Sequence, residues 1–260
     1  MDTTYLPSWQ RRDDRARMRL FCLPHAGAGA GAYRAWTDLG SPDVDVQPVQ
    51  LPGRDALAGT ALIDDLHTLV GEHLGPAIAQ ADDLPYVLFG HSMGAALAAE
   101  LTAFLLRHGH RPPELLVVSA YRGGDDTSRW LPGSSDEELL KDVLSLGGTD
   151  AELFSEPSMR QFFLETMRND IKMLRGYRRG YRRLPVPLLA LGGKDDHDVP
   201  EDELALWSSR TTLQFTQRML PGGHFYLHEQ PAEVIGHVLE TLRQLPLATA
   251  HFGRVGSRHA

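Results

Sequence analysis

Tyr86-Val87-Leu88-Phe89-Gly90-His91-Ser92-Met93-Gly94-Ala95-Ala96-Leu97-Ala98-Ala99-Glu100-Leu101 decides how this chain is read. Tyr86 to Phe89 is a short apolar run of the kind that forms a buried strand. Ala95 to Leu106 is rich in Ala and Leu, the composition of a buried helix. Between them lies Gly90-His91-Ser92-Met93-Gly94. It is a Gly-x-Ser-x-Gly turn with the strand before it and the helix after it that this motif requires. Gly90 and Gly94 have no Cβ, so strand and helix can come close together. Ser92 is expected to sit in strained backbone geometry with its hydroxyl projecting. The helix that follows aims free N–H groups and a partial positive charge at the same spot. One turn therefore supplies a nucleophile and half of an oxyanion hole.

Strand-like and helix-like runs alternate on either side of this stretch, which predicts one α/β domain with a mostly parallel sheet. Arg19 to Leu23 reads as an inner strand. It runs into Pro24-His25-Ala26-Gly27-Ala28-Gly29-Ala30-Gly31, a loop of small residues. That loop has no Gly-Lys-Ser/Thr ending and no well-placed acidic residue, so it fits neither phosphate-binding pattern. It fits better as the source of the second oxyanion donor, which in serine hydrolases of this architecture follows an early strand. The backbone N–H groups of Ala26 and Met93 are the candidates, with Gly27 as the alternative to Ala26. Val44 to Leu51 is a second strand, closed by the turn Leu51-Pro52-Gly53-Arg54, and Arg54 either lines the site mouth or is a solvated turn residue. Leu62 to Ile78 has the spacing of an amphipathic helix. Leu115 to Ala120, Pro187 to Leu191 and Leu213 to Leu220 are further strands, and Pro231 to Leu245 is a closing helix.

The alternation breaks between Asp125 and Leu184, where helical patches replace strands. Ser135-Asp136-Glu137-Glu138 has the form of a helix cap, and Phe162 to Tyr181 is a longer helical patch. An insertion at about 125–184 is expected to lie over the strand ends as a lid on a domain spanning 19–245. Residues 1–18 read as a polar leading segment, and 246–260 are expected to be a flexible tail. Within the insertion Arg168, Lys172, Arg175, Arg179 and Arg182 recur at helical spacing, with Arg178 and Arg183 beside them. On one helix they would form a basic stripe able to steer an acidic partner. The plainer reading is a solvated face paired with nearby carboxylates.

Composition narrows the class. The 260 residues are 42% hydrophobic and 23% charged, ordinary for a globular protein with an ample core. The net charge of −8 argues against nucleic acid as the main partner. The single cysteine, Cys22, lies in an apolar run and reads as a core residue. No secretory leader or membrane-length apolar run is present, which predicts a cytoplasmic protein. No histidine cluster completes a metal site, and no cofactor is called for.

A serine hydroxyl needs a base to take its proton and a carboxylate to orient that base. In this architecture the chain order is Ser, then Asp or Glu, then His, each on a loop after a strand. Ser92, Asp196 and His224 obey that order. His224 follows a strand and two glycines. His25, His91 and His197 stand near the site in the wrong order or place for the base. Asp195 and Asp198 compete with Asp196, which is favoured by standing three residues after Gly193 and three before Val199.

Pro24-His25-Ala26-Gly27, Leu51-Pro52-Gly53-Arg54, Gly90-His91-Ser92-Met93-Gly94, Gly147-Gly148-Thr149, Met167-Arg168-Asn169-Asp170 and Pro221-Gly222-Gly223-His224-Phe225 together resemble the motif series of type II thioesterases. These are the stand-alone editing enzymes of polyketide and nonribosomal peptide assembly lines. The resemblance runs from about Arg19 to Leu245. It implies an α/β-hydrolase fold with a helical lid. It also implies hydrolysis of aberrant or stalled acyl groups from the phosphopantetheine arms of acyl or peptidyl carrier proteins, with Ser92 as nucleophile, Asp196 as acid and His224 as base. Two positions depart from the family pattern: Asn169, where many members have Ala, and His197, where many have Pro. The alternatives are a general carboxylesterase or lipase of the same fold and a non-catalytic binding module on that scaffold.

Overall fold

The computed structural model describes residues 5–7, 15–39, 43–81, 83–124, 135–147 and 151–245. Six strands, β1 (Met18–Leu23), β2 (Val44–Pro48), β3 (Tyr86–His91), β4 (Leu115–Ser119), β5 (Leu188–Gly193) and β6 (Phe215–Leu220), form one sheet in the order β2-β1-β3-β4-β5-β6. Every adjacent pair is parallel. The first five strands are buried throughout, mostly as apolar runs with cover on both faces, though the edge strand β2 also buries the polar Asp45 and Gln47; the other edge strand, β6, is partly exposed.

Alternate side chains feed two cores. Phe21, Leu23, Leu88, Leu116 and Val118 pack on one face of the sheet. Leu20, Cys22, Val87, Phe89 and Val117 pack on the other. The helices are α1 (Leu66–Thr68), α2 (Gly75–Gln80), α3 (Met93–Arg107), α4 (Asp136–Ser145), α5 (Pro157–Gly176), α6 (Glu201–Ala205), α7 (Tyr226–Glu229) and α8 (Pro231–Gln244). The first core takes α3 and α5, the second α8. Cys22 is fully buried, as its neighbours in sequence require.

Several boundaries differ from the sequence reading for identifiable reasons. The helix expected from Leu62 begins at Leu66, because the Asp65 carboxylate accepts from the Thr68 N–H at 2.7 Å and caps it there. Its middle, Leu69–Leu74, is a π-helical stretch between α1 and α2. The helix expected from Phe162 to Tyr181 is α5, which starts earlier, at Pro157, with that proline in its first turn and the Glu156 carboxylate capping the Met159 N–H. It stops at Gly176, and Tyr177 is extended. The capping box of α4 is present, with Ser135 and Glu138 satisfying each other's backbone N–H. Gly148 and Thr149 of one quoted motif lie outside the described residues, as do 125–134 of the insertion.

The sheet places the site. The chain leaves β1 for the edge strand β2, then crosses back to β3 on the opposite side of β1. The carboxyl ends of β1 and β3 therefore flank a topological switch point, where open α/β sheets bind their ligands. The small-residue loop follows β1 and Ser92 follows β3.

Candidate active site

Ser92 is held at φ 53° and ψ −120°, a conformation costly for any residue with a Cβ. Its surroundings determine it. The Ser92 N–H donates to the Ser119 carbonyl at 2.8 Å, and the Ser92 carbonyl accepts from the Ala95 N–H at 2.9 Å. A Cβ on Gly90 would lie 1.9 Å from the Gly94 carbonyl oxygen, and one on Gly94 would lie 2.2 Å from that of Leu23. Both glycines are thus required by close approach, as read from the sequence. Ser92 occupies the N-cap position of α3, yet its hydroxyl makes no capping bond and lines a cavity instead.

His224 lines the same cavity, on the loop after β6. Its Nδ1 lies 2.8 Å from Asp196 Oδ2, with both residues buried. The other carboxylate oxygen, Oδ1, accepts from the N–H groups of Asp198 at 2.9 Å and Val199 at 3.2 Å. Burial alone would raise the Asp196 carboxyl. The hydrogen bond and charge of His224, with those two N–H groups, outweigh burial and hold it below the usual range. Asp195 and Asp198, the competing acids, do not take this position.

Ala26 lines the cavity too. Met93 is the first residue of α3, where an N–H has no intrahelical acceptor. Gly27, the alternative oxyanion donor, has its N–H committed to the Asp170 carboxylate at 2.9 Å. Five of the six loops that follow strands, all but the one after β2, thus converge on one space of about 180 Å³. The rest of its wall comes from Ile171, Leu174 and Arg175 of α5, from Asp198 and Val199 after β5, and from Ala120-Tyr121-Arg122 after β4.

Aromatic and imidazole rings pack behind His224. The His91 ring centre is 5.2 Å from that of His224, and the Phe225 ring lies between His25 and His91, at 4.8 and 5.5 Å. His91 Nδ1 lies 2.8 Å from Ser119 Oγ, which is 2.6 Å from the Tyr226 hydroxyl. Burial, reinforced by the neighbouring imidazoles, lowers the pKa of His91 well below its ordinary value and that of His25 to about 3. Burial lowers that of His228 as well. These rings are neutral in the folded state near neutral pH. Unfolding frees them to bind protons near pH 6.5, so the unfolded state binds more protons below that value. Their contribution to stability is complete above about pH 6.5 and is lost progressively as pH falls toward the folded-state values. Thermal unfolding should therefore show Tm falling between pH 7.5 and 5. His91→Asn should flatten that slope, and an unchanged slope would show that these rings do not carry it.

Two other expectations are corrected. Arg54 neither lines the cavity nor points to solvent. It is 4% exposed and forms a two-pronged pair with Asp170 of α5, with both contacts at 2.8 Å. The basic stripe does not form, because α5 ends before Arg179 and Arg182. Arg168 pairs with Asp136, and Lys172 with Asp64. Arg179 is an internal brace. Its guanidinium lies 4.7 Å over the Trp207 ring and donates to the carbonyls of Arg122 and Gly124, both at 2.9 Å. Only Arg175 of the four docking candidates borders the cavity. Glu100, hidden in the Ala-rich stretch of α3, is fully buried. It accepts from the Gly180 N–H at 3.1 Å, the Tyr177 hydroxyl at 3.3 Å and Arg107 at 3.1 Å, fixing the exit from α5.

Residues 18–242 match the thioesterase domain family. The chain belongs to the thioesterase family. This thioesterase is 30% identical over 234 residues to the gramicidin S biosynthesis protein GrsT of Aneurinibacillus migulanus, covering 88% of this chain and 90% of that one. It is 30% identical over 239 residues to thioesterase PikA5 of Streptomyces venezuelae, covering 90% and 85%. Among solved structures, the type II thioesterase BorB of the borrelidin biosynthetic cluster superposes with a TM-score of 0.78 at 34% identity, covering 91% and 96% of the two chains. The thioesterase is of type II, with the α/β-hydrolase fold, and its reaction is hydrolysis of thioesters. Among the described residues no helix is long and apolar enough to cross a membrane, and no group of three His, Cys, Asp or Glu side chains is placed to hold a metal ion.

Proposed function

We propose that this thioesterase removes aberrant or stalled acyl groups from phosphopantetheine arms of acyl or peptidyl carrier proteins in a cytoplasmic polyketide or nonribosomal peptide pathway. Ser92 is the nucleophile, His224 the base and Asp196 the carboxylate that orients it. His224 takes the Ser92 proton as Oγ attacks the thioester carbonyl. The N–H groups of Ala26 and Met93 receive the developing oxyanion. As the tetrahedral intermediate collapses, the C–S bond breaks and the imidazolium returns its proton to the departing pantetheine thiolate. His224 then deprotonates a water that attacks the acyl–Ser92 ester. Collapse of this second intermediate releases the acid and restores the serine.

The observation that carries this reading is the meeting of Ser92, His224 and Ala26 around one cavity, with Asp196 2.8 Å behind the imidazole. Asp196 stays ionised because its folded-state pKa is depressed. It can therefore stabilise the imidazolium throughout the neutral range. The apolar Ile171 and Leu174 of α5 cover the acyl group as a lid. A panel of acyl-pantetheine thioesters against the matching oxyesters tests the assignment. Preference for the thioesters supports it, and faster turnover of simple esters would return the enzyme to the general carboxylesterases.

Arg175 is exposed beside the cavity, and no described residue pairs with its guanidinium. It is the position from which a basic side chain can meet an acidic carrier protein. Arg175→Glu should raise the KM for an acyl-carrier protein roughly tenfold, the scale of one lost charge contact, and leave a small acyl thioester unaffected. Equal loss on both substrates would remove docking from its role. Arg179→Glu should instead damage both, because it breaks an internal brace.

A further inference from the structure

Three short motifs that the triad does not use converge on one buried contact. Asp170 of α5 is fully buried. Its carboxylate accepts from the Gly27 N–H at 2.9 Å and from the two terminal guanidinium nitrogens of Arg54, Nη1 and Nη2, both at 2.8 Å. Arg54 also donates to the Ala28 carbonyl at 2.9 Å. Next in sequence, the Asp55 carboxylate accepts from the Ala30 N–H at 2.6 Å. Gly27 has φ +77°, and a Cβ there would lie 2.9 Å from Met167 and Phe163 of α5. The loop from His25 to Ala30 is therefore gripped at Gly27, Ala28 and Ala30, between the turn at 52–55 on one side and α5 on the other. Ala26 stands one residue before the first of these grips.

We propose that Arg54 and Asp170 are positioning residues that hold the Ala26 N–H at the reaction centre, so that α5 and the oxyanion site behave as one unit. This rests on the reading of Ala26 as an oxyanion donor. The physical reason is geometric. A loop with glycines at 27 and 29 has little stiffness of its own, and an oxyanion donor must sit about 2.7–3.1 Å from the oxygen it stabilises. Charge-assisted, two-pronged contacts are the strongest and most directional available to fix it. Asp170 does so from the same helix that supplies Ile171 and Leu174 to the cavity wall. A helix that closes over the acyl group also completes the oxyanion site, and one that withdraws removes a donor.

The test separates positioning from mere stability. Arg54→Met/Asp170→Leu replaces the ion pair with apolar groups, an exchange that folded proteins often tolerate. Arg54→Lys keeps the charge but loses the two-pronged geometry. Each is assayed on a small acyl-pantetheine thioester, with a trifluoromethyl ketone that forms a tetrahedral adduct on serine, and with the matching unreactive amide. The double variant should fold and lose about a hundredfold in kcat, the scale of one misplaced donor. Its KM and amide affinity should stay within about threefold, while ketone affinity falls in parallel with kcat. Arg54→Lys should lose about tenfold with the same split, and it decides the matter if the double variant does not fold. A folded variant with wild-type kcat, or one whose loss lies in KM and in both inhibitors equally, overturns the proposal. If the wild-type enzyme itself forms no ketone adduct on Ser92, the serine mechanism fails rather than the clamp.

Discussion

Ser92→Ala should lower kcat by a factor on the order of 10⁶, as loss of the nucleophile does where serine, base and acid act as a unit. The fold should be untouched, because the Ser92 hydroxyl makes no capping bond and faces the cavity. His224→Ala should cost about as much. Asp196→Asn should cost roughly 10⁴, since it leaves the imidazole in place but in the wrong tautomer. The double variant Ser92→Ala/His224→Ala should be no worse than either single change, because once the unit is broken the second loss removes nothing further. Single-turnover assays on an acyl-pantetheine thioester measure all four. Loss that adds up across the pair would show that these side chains act independently and would break the mechanism.

Arg54→Ala should be the most damaging change to stability away from the catalytic residues. It strands the fully buried Asp170 carboxylate, whose remaining strong partner is the Gly27 N–H. Removing one partner of a buried pair costs roughly 3–5 kcal/mol. In a domain of this size that is a fall in Tm of about 10 °C. It is a large part of the 5–15 kcal/mol that holds a typical fold together. Differential scanning calorimetry checks it. Adding Asp170→Leu to Arg54→Ala should recover stability, because the orphaned charge is gone. If Arg54→Ala melted within about 2 °C of wild type, the pair would not be the buried tie described here.

What the sequence made legible follows from where each signal resides. The strand-turn-helix around Ser92 is local chemistry. Glycines at 90 and 94 and an apolar run on each side leave little choice, and the structure has the close contacts they imply. Asp196 and His224 were readable because chain order and loop position are topological facts, fixed once the sheet is parallel. The Arg54–Asp170 pair was not readable. Each residue sits in a short motif, but nothing along the chain says that positions 116 apart will meet. Arg54 after a Pro-Gly turn reads equally as a residue of the site mouth or a solvated turn residue, and neither reading points to a partner helix placed over it. The basic stripe failed for the opposite reason. Its spacing is genuinely helical as far as Arg175, but Gly176 ends the helix and turns the chain. Arg179 then finds Trp207 and the carbonyls of the 122–124 loop, contacts made by tertiary packing alone. Glu100 was hidden by its neighbours, since a carboxylate in an Ala-rich buried helix is detectable as an anomaly but its partners, at 177 and 180, come from the far end of the insertion.

The central claim is that an acyl group passes through Ser92 on a cavity shared with His224. Rapid quenching of the enzyme with a slowly hydrolysed acyl-pantetheine thioester, followed by intact-mass and peptide-mapping mass spectrometry, tests it directly. The expected result is a mass increase equal to the acyl group, located on the peptide containing Ser92, formed and discharged at rates compatible with kcat and absent from Ser92→Ala. Turnover with no acylated enzyme at any time, or acyl groups located on another residue, would contradict it.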